Sequence, residues 1–418
     1  MEAVDQLDNI AIQLHQPLPG VFVLDASELD GGDWLSTDEV TGDADPGYEW
    51  VDVLCDSSEV TITRGLNLNQ NVFARAEAAE MVAVVHGPTV DPVANIRLAP
   101  NAKFRGRVLV DETWETLFIG RLRSMVSTYS KDAPTSVTIS GFDLVDYLNN
   151  IQGIDDTSRT FANRLSTLAT AGGTSVSVTG GTTTLAPIET YRSLWDQMNI
   201  AANSEGGVIY SNRQGTLEAR GRDATASDPI IEFSDHHGAF TDHFSEAFQV
   251  ESPLHSCYTS IDVSYDTTNI TNSITISNIS EQDENGEDVQ EQMGTFTEDN
   301  SIQVYGIYNT NVMTNLSTTA AVDDLVDYVF DYYSAPFKRV KSITFNPLDY
   351  WQTLIDVGDY VSVEFHDDTG AAVVDATFMV SNVRHDIIPG SWEITLELFR
   401  DWTTSGGGGY TAPGWRIT

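Results

Sequence analysis

Short runs of β-branched and aromatic residues, bounded by Gly, Pro, Asp or Asn, constrain the fold of this chain most strongly. A strand needs only a few such residues, whereas a helix needs a longer stretch with a period near 3.6. Seven runs at short spacing over residues 1–150 predict a small antiparallel barrel or sandwich. The runs are 21–24, 51–54, 60–63, 81–85, 108–110, 117–119 and 137–139.

The hydrophobic period changes after residue 150. Apolar residues recur at helical spacing in two segments. For the second segment, Thr190 is the expected N-cap and Gly206-Gly207 the expected C-terminal end. Two short strand patterns follow. This order predicts a helix packed on a hairpin, an α/β module. The helical segments and the strands after them are 161–169, 191–202, 208–210 and 217–220.

Alternating strand patterns return in the second half of the chain, at 261–265 and 274–276. Asn285-Gly286 is typical of a two-residue hairpin turn. A third helix is expected from about Thr319 to Tyr333, because apolar residues there share one helical face. These elements predict a second α/β section.

The C-terminal part of the chain repeats a pattern seen earlier. A three-strand meander at 361–363, 377–384 and 392–396 has the same order as 108–110, 116–123 and 136–139, and each middle strand ends in an apolar residue followed by Arg. Two copies of one barrel motif explain this similarity, and chance likeness between meanders is the alternative.

The predicted fold class is therefore mainly β with α+β modules, with two small antiparallel barrels plus helix-on-hairpin modules. A chain of 418 residues is long enough for two to four domains. The expected divisions are an N-terminal barrel domain, an α/β module, a second α/β section, the C-terminal part of the second barrel and a Gly-rich flexible tail: 1–150, 151–235, 236–345, 346–403 and 404–418.

Charge is the most unusual property of the composition. The chain has 62 acidic and 21 basic residues, a net charge of −41 and a pI near 4.1, and only four of its residues are lysines. Such a balance excludes a broad nucleic-acid-binding face. At molar salt the screening length falls to about 3 Å, which relieves the self-repulsion of such a surface. The composition predicts a halophilic protein, and an acidic mesophilic protein is the alternative.

Membrane and disulfide signals are weak. No run approaches the roughly 20 apolar residues of a membrane-spanning helix, and the N-terminus lacks a basic region followed by an apolar run. We therefore expect no membrane-spanning segment and no Sec export. Cys55 and Cys257 are the only cysteines, which excludes a disulfide framework and a cysteine-based metal site. A single bridge between them is the less favoured reading.

The best candidates for chemistry are acidic and histidine clusters. Asp235-His236-His237 and Asp242-His243 resemble metal or acid–base groups, but adjacent residues on a strand point to opposite faces. The acidic segment 283–288 lacks the distal Glu of a calcium loop and is better read as a solvated hairpin tip. Motifs of serine hydrolases, zinc proteases and phosphate-binding loops are absent from the sequence. We therefore predict no catalytic, cofactor-binding or metal-binding residues.

Several ordered landmarks give the chain a family resemblance. The landmarks are 50–56, 60–65, 91–92, 117–121, 137–143, 193–198, 205–210, 215–217, 356–363 and 385–392. Their order resembles that of the minor tail proteins of long-tailed phages, which are related to tail-tip and baseplate hub proteins. The first 49 residues match poorly, and we expect no appended enzymatic or fibre-like domain after residue 400.

The resemblance implies a structural virion component at the tail tip. It implies a homotrimeric hub below the tail tube, in which two similar barrels per subunit form a pseudo-sixfold ring. Such a hub would contact tail tube, distal tail and fibre or receptor-binding proteins, and viral DNA would pass through it during ejection without specific binding. The alternatives are a tail-associated hydrolase of the host envelope, which predicts a deep pocket with perturbed pKa values, and a carbohydrate-binding adhesin, which predicts exposed aromatics around a shallow groove.

Overall fold

The structure is a computed structural model of the chain. It describes residues 10–17, 48–52, 59–67, 73–86, 101–131, 136–188, 192–224, 227–234, 254–256, 258–265, 267, 270–282, 288–336, 338–347, 350–366 and 372–399.

Strands are the main element within these ranges. They are β1 (Ile10–Pro17), β2 (Tyr48–Asp52), β3 (Glu59–Asn67), β4 (Arg75–Ala76), β5 (Glu80–His86), β6 (Lys103–Val110), β7 (Thr113–Thr128), β8 (Ser136–Phe142), β9 (Arg159–Thr160), β10 (Val176–Thr179), β11 (Thr184–Leu185), β12 (Val208–Ser211), β13 (Leu217–Arg220), β14 (Ile231–Ser234), β15 (Leu254–Ser256), β16 (Ser260–Tyr265), β17 (Ser273–Gln282), β18 (Asp288–Thr297), β19 (Asn309–Thr314), β20 (Lys338–Phe345), β21 (Tyr360–His366), β22 (Ala372–Ile388) and β23 (Ser391–Phe399).

The α-helices of these ranges are α1 (Leu144–Asn149), α2 (Phe161–Ala171), α3 (Leu194–Glu205), α4 (Asp299–Tyr305) and α5 (Thr319–Tyr333), and a 3₁₀ helix spans Tyr350–Leu354. None of them is long and apolar enough to cross a bilayer.

Fifteen of the strands join one large sheet, with the longest path β15-β14-β21-β22-β3-β5-β8-β7-β6-β1-β2. Alternation places one face of each strand in the core: in β3 and β6, every second residue is buried. The same core continues beneath the helices, where Phe161 and Trp195 are fully buried. A mainly β fold with α+β modules is therefore confirmed.

Ten strands of the large sheet form two groups with the same order along the chain and the same order in space. Repeat 1 is β3-β5-β8-β7-β6, and repeat 2 is β16-β20-β23-β22-β21. All neighbours within each repeat are antiparallel. The flanking strands differ, because β1 is antiparallel to β6 whereas β14 is parallel to β21.

The middle strand of each repeat changes its partner at one residue. In β7, Arg121 pairs with both β6 and β8; in β22, Met379 pairs with both β21 and β23. Two residues further along, one residue in each strand is bulged out of the ladder, Arg123 in β7 and Ser381 in β22. The pairing therefore aligns Arg123 with Ser381, and the sequence match of Arg123 with Arg384 is out of register.

Neither repeat closes into the barrel that the sequence predicts, as far as the described strands show. The edge strand β3, which would close repeat 1, pairs instead with β22 of repeat 2. The opposite edge continues through β6 to β1 and β2. The two repeats are thus joined edge to edge in one open sheet, because a strand has only two edges and β3 uses its second one on the other repeat.

The predicted helix-on-hairpin module is present after repeat 1. Helices α2 and α3 pack on each other, and α3 packs on the β12–β13 hairpin, to which β10 adds a parallel strand. The N-cap of α3 is Ser193, whose hydroxyl accepts the Asp196 N–H, so the choice of Thr190 is wrong. Gly206 ends the helix with φ of 69°, as the sequence indicates.

A second apolar core lies under helix α5, whose bounds agree with the sequence prediction. Its centre contains Ile274, Ile276, Val312, Leu325 and Val329. Strands β17 and β18 form the predicted hairpin, in which Gln282 pairs with Asp288, while the residues of the Asn285-Gly286 turn lie outside the described ranges. Strand β19 adds to β17 in parallel.

Six of the seven predicted N-terminal runs coincide wholly or in part with strands, and the seventh, 21–24, lies outside the described residues. The sequence prediction omitted β1, although Ile10, Ile12 and Leu14 alternate in it and are all buried. The segment 404–418 and both cysteines also lie outside the described ranges.

Candidate functional site: the junction between the two repeats

Strands β3 and β22 form the junction between the repeats. They are antiparallel, and their register runs from Gly65 opposite Asn382 to Val60 opposite Ile387. Gly65 has φ of +152°, and a Cβ there would lie 2.4 Å from the carbonyl oxygen of Ser381. The close approach of β3 to the bulge in β22 therefore requires glycine at this position.

Arg64 is the charged residue at the centre of the junction. Alternation along β3 points it inward with Val60 and Ile62, and it is only 1% exposed. Its guanidinium donates to the Leu117 carbonyl of β7, and Nη2 lies 3.3 Å from Asp356 Oδ1. Burial lowers the pKa of Arg64, an effect that the Asp356 carboxylate opposes. Because an arginine keeps its charge in proteins, this is a buried ion pair.

Asp356 connects the junction to the α/β module. Besides Arg64, its carboxylate accepts the backbone N–H of Arg213, at 2.6 Å, and that of Val357, at 2.8 Å. The Arg213 side chain in turn donates to the Thr116 carbonyl, at 2.7 Å. One carboxylate therefore ties together β3, the β12–β13 turn and the segment that enters β21.

His385 lies on the inward face of β22, opposite Ile62, and is fully buried. Trp392 Nε1 donates to its Nδ1 at 3.3 Å. Burial, and to a lesser extent the charge of Arg64, lower the pKa of His385 well below 6.5. The imidazole is therefore neutral at pH 7, and its role is in packing.

Asp143 occupies the other end of repeat 1, between β8 and α1. Its Oδ1 accepts the N–H of Ala79, at 3.1 Å, and that of Val145, at 3.0 Å, so that it both joins β5 and caps the helix. Burial raises the pKa of Asp143 to about 7. The Asp143 carboxyl group at the edge of the repeat therefore keeps its proton to a higher pH than an exposed aspartic acid does.

A shallow polar cleft of about 260 Å³ opens beside the junction. Among its lining side chains are Glu77, Glu80 and Glu397 together with the amides of Asn67 and Asn382. In the part of the chain that the structure describes, no group of three or more His, Cys, Asp or Glu is close enough to hold a metal ion.

The histidine and acidic clusters singled out in the sequence lie outside the described residues, from Asp235 to His243 and from 283 to 287. Sequence reasoning missed the Arg64–Asp356 pair. One signal was available, because Val60-Thr61-Ile62-Thr63-Arg64 places an arginine in phase with two core residues. The central charges of the junction, Arg64 and Asp356, contact each other and backbone groups of the fold, which is the arrangement of a joint between rigid parts.

Comparison with solved structures gives the fold a clear set of relatives. The tail protein of Neisseria meningitidis MC58 superposes with a TM-score of 0.57 at 14% identity, covering 94% of this chain and 98% of that one. The 43 kDa tail protein of prophage MuSo2 from Shewanella oneidensis gives a TM-score of 0.55 at 13% identity, with coverages of 84% and 96%.

No protein-family model matches the sequence, and no curated protein matches it either. The likeness is therefore one of structure at very low sequence identity. The chain has the fold of these two tail proteins over nearly the whole length of each.

Proposed function

We propose that the protein is a structural subunit of the tail of a tailed virus, located at the tail tip as a trimeric hub. One observation carries this proposal: two repeats of the same strand order are joined edge to edge within a chain whose fold is that of two solved tail proteins, one of them from a prophage. A scaffold needs a fixed joint of this kind between like units, and it needs no reactive group.

The number of repeats fits a ring that mates with a sixfold tail tube. Three chains with two repeats each present six similar surfaces, so that a threefold assembly can face a sixfold one. In this role the hub contacts itself, the tail tube and fibre or receptor-binding proteins.

The strong negative charge suits a channel for DNA. With a net charge of −41, an acidic lumen repels phosphate groups at short range and keeps the passing DNA from binding. At molar salt this repulsion acts only within a few ångströms of the wall. A basic lumen in an experimental structure of the assembled ring would contradict this part of the proposal.

Negative-stain electron microscopy and light scattering of the purified chain in about 3 M KCl test the hub function. We expect threefold rings with a central hole and the mass of a trimer. Compact monomers at every salt and protein concentration would contradict the proposal. Turnover of host surface polymers would instead support the hydrolase alternative, and glycan binding without turnover would support the adhesin.

A further inference from the structure

The junction between β3 and β22 occurs once among the described strands, which also include the parts for a second one. Alignment of the repeats at their partner-changing residues, Arg121 and Met379, also aligns the bulged residues Arg123 and Ser381. It follows that residues 124–129, which begin in β7, correspond to residues 382–387 of β22. The latter residues are those that pair with β3.

Strand β16 is the counterpart of β3. In repeat 1, Val84 of β5 pairs with Glu59, and in repeat 2 the corresponding Thr344 of β20 pairs with Ser260. Counting along both strands from these pairs aligns β16 residues 261, 263 and 265 with β3 residues 60, 62 and 64. The inward face of β16 therefore consists of Ile261, Val263 and Tyr265.

The matching edges of β7 and β16 have no strand beside them in the described part of the chain. The edge of β7 that β6 leaves at Arg121 pairs with no other described strand, and neither does the edge of β16 opposite β20. On the inward faces of these edges, Tyr129 is 59% and Tyr265 is 66% exposed; Val126, on the outer face, is 57% exposed.

The burial of the counterparts shows what these edges lack. In the β3–β22 junction the corresponding inward residues are all buried. They are residues 60, 62 and 64 of β3 and residues 383, 385 and 387 of β22. Ile261, Val263 and Met125, at the matching positions, are only half-buried. A sheet edge with exposed apolar side chains is a template for another strand.

We propose that β16 of one chain pairs with residues 124–129 of a second copy, in the antiparallel register of the β3–β22 junction. That register places Tyr265 opposite Met125, Val263 opposite Ser127 and Ile261 opposite Tyr129. A second copy is the fitting occupant, because the chain already joins one repeat to the other by the same pairing. The strand pairing itself does not depend on the proposed hub function. Only the closing of this head-to-tail contact into a ring of three chains rests on that function.

The chemistry of the new junction differs from that of the internal one at its centre. Tyr265 takes the place of the buried Arg64, so this contact is apolar and includes a sulfur–aromatic pair with Met125. Chloride salts screen the repulsion between acidic subunits while leaving an apolar contact intact. The proposed assembly should therefore strengthen as KCl rises.

Cysteine pairing tests the register. In a Cys55→Ser, Cys257→Ser background, one protein carries Val126→Cys and another carries Ser264→Cys, residues that the register places opposite each other. After mixing and oxidation in molar KCl, we expect a disulfide-linked dimer at least tenfold more abundant than in either protein alone. The Thr128→Cys protein mixed with Ser264→Cys is the register control and should give little product.

The internal junction provides the positive control. Thr63→Cys with Arg384→Cys in one chain has the same relative positions and should form an intrachain disulfide. If that bridge forms and rings are seen, but the 126–264 pair does not react, the proposed register is overturned while the hub function stands. If the protein is monomeric in all conditions, both are overturned.

A second readout does not depend on cysteines. Tyr265→Glu should shift the protein from oligomer to folded monomer by light scattering, with an unchanged circular dichroism spectrum. Tyr305→Glu, at a partly exposed tyrosine outside both strand edges, is the matched control and should leave the oligomer intact. An oligomer that survives Tyr265→Glu as well as the control does would overturn the inference.

Discussion

Replacing Asp356 by Asn should destabilise the protein far more than the loss of an ordinary ion pair. Arg64 is 1% exposed and has Asp356 as its anionic partner at 3.3 Å, so the substitution leaves a buried positive charge without the carboxylate that stabilises it most. Breaking a buried pair in this way costs about 3–5 kcal/mol. The N–H groups of Arg213 and Val357 donate to different oxygens of the carboxylate, and asparagine keeps only one acceptor oxygen, so the loss also includes one backbone hydrogen bond.

Urea unfolding in molar KCl measures this cost, because urea adds no ionic strength. Trp195 and Trp392 are buried and report the unfolding by fluorescence. The matched control is Asp386→Asn, which removes an exposed ion pair with Arg384. The Asp386 side chain is 34% exposed and that of Arg384 is 54% exposed. Such pairs contribute about 1 kcal/mol or less.

The double variant Arg64→Met, Asp356→Asn gives the sharper test. It removes both members of this pair, so no unpaired Arg64 charge is left in the junction, and it should be more stable than Asp356→Asn alone by about 1 kcal/mol or more. The reasoning is refuted if Asp356→Asn costs no more than Asp386→Asn, or if the double variant is the less stable of the two.

Three further outcomes follow from charge, burial and backbone geometry. The melting temperature should rise between about 0.1 M and about 3 M KCl as self-repulsion is screened, and a flat or falling curve would contradict the prediction that the protein is halophilic. Burial raises the pKa of Asp143 from 3.8 to about 7, so between these pH values the folded state holds a proton that the unfolded state releases. The free energy of unfolding should therefore fall as pH rises from about 4 to about 7, by at most about 1.4 kcal/mol per pH unit. Urea midpoints across this range should decline less in Asp143→Asn than in the wild type, while Asp146→Asn, on the same helix, should follow the wild type. Gly65→Ala should lower the free energy of unfolding in urea by about 1–3 kcal/mol more than Gly390→Ala does. Both glycines have positive φ, but only at Gly65 would a Cβ lie within 3 Å of a backbone atom. Equal losses would show that β3 can move away from β22.

Local pattern predicted the faces of strands well and their partners poorly. The alternation of Val60 and Ile62 identifies a strand with one buried face, and the structure confirms both. The sequence pattern does not predict that the second edge of this strand pairs with β22, because alternation shows which face of a strand is buried but not which strand lies beside it. The predicted closed barrels failed to appear for this reason.

Caps and ion pairs show a similar limit. Thr190 and Ser193 are both good N-cap residues, and the burial of Leu194 and Trp195 decides that the helix begins after Ser193. The Arg64–Asp356 pair joins residues that are far apart in the chain, and 62 acidic residues offer too many candidate partners. Only the three-dimensional arrangement selects one carboxylate.

The use of arginine connects the acidic surface with the junction. Basic residues are scarce, yet Arg64 lies against Asp356 and Arg164 lies 2.7 Å from Asp156, with both members of the second pair 3% exposed. At molar salt an exposed pair is screened over about 3 Å, whereas a pair enclosed by protein keeps its attraction. These buried pairs can therefore hold elements in register at any salt concentration, whereas the repulsion between the surface carboxylates depends on salt. If so, the free energy lost in Asp356→Asn should be the same in about 1 M and about 3 M KCl, although the stability of the whole protein rises between them. A loss that shrinks in step with rising salt would show that solvent reaches the pair.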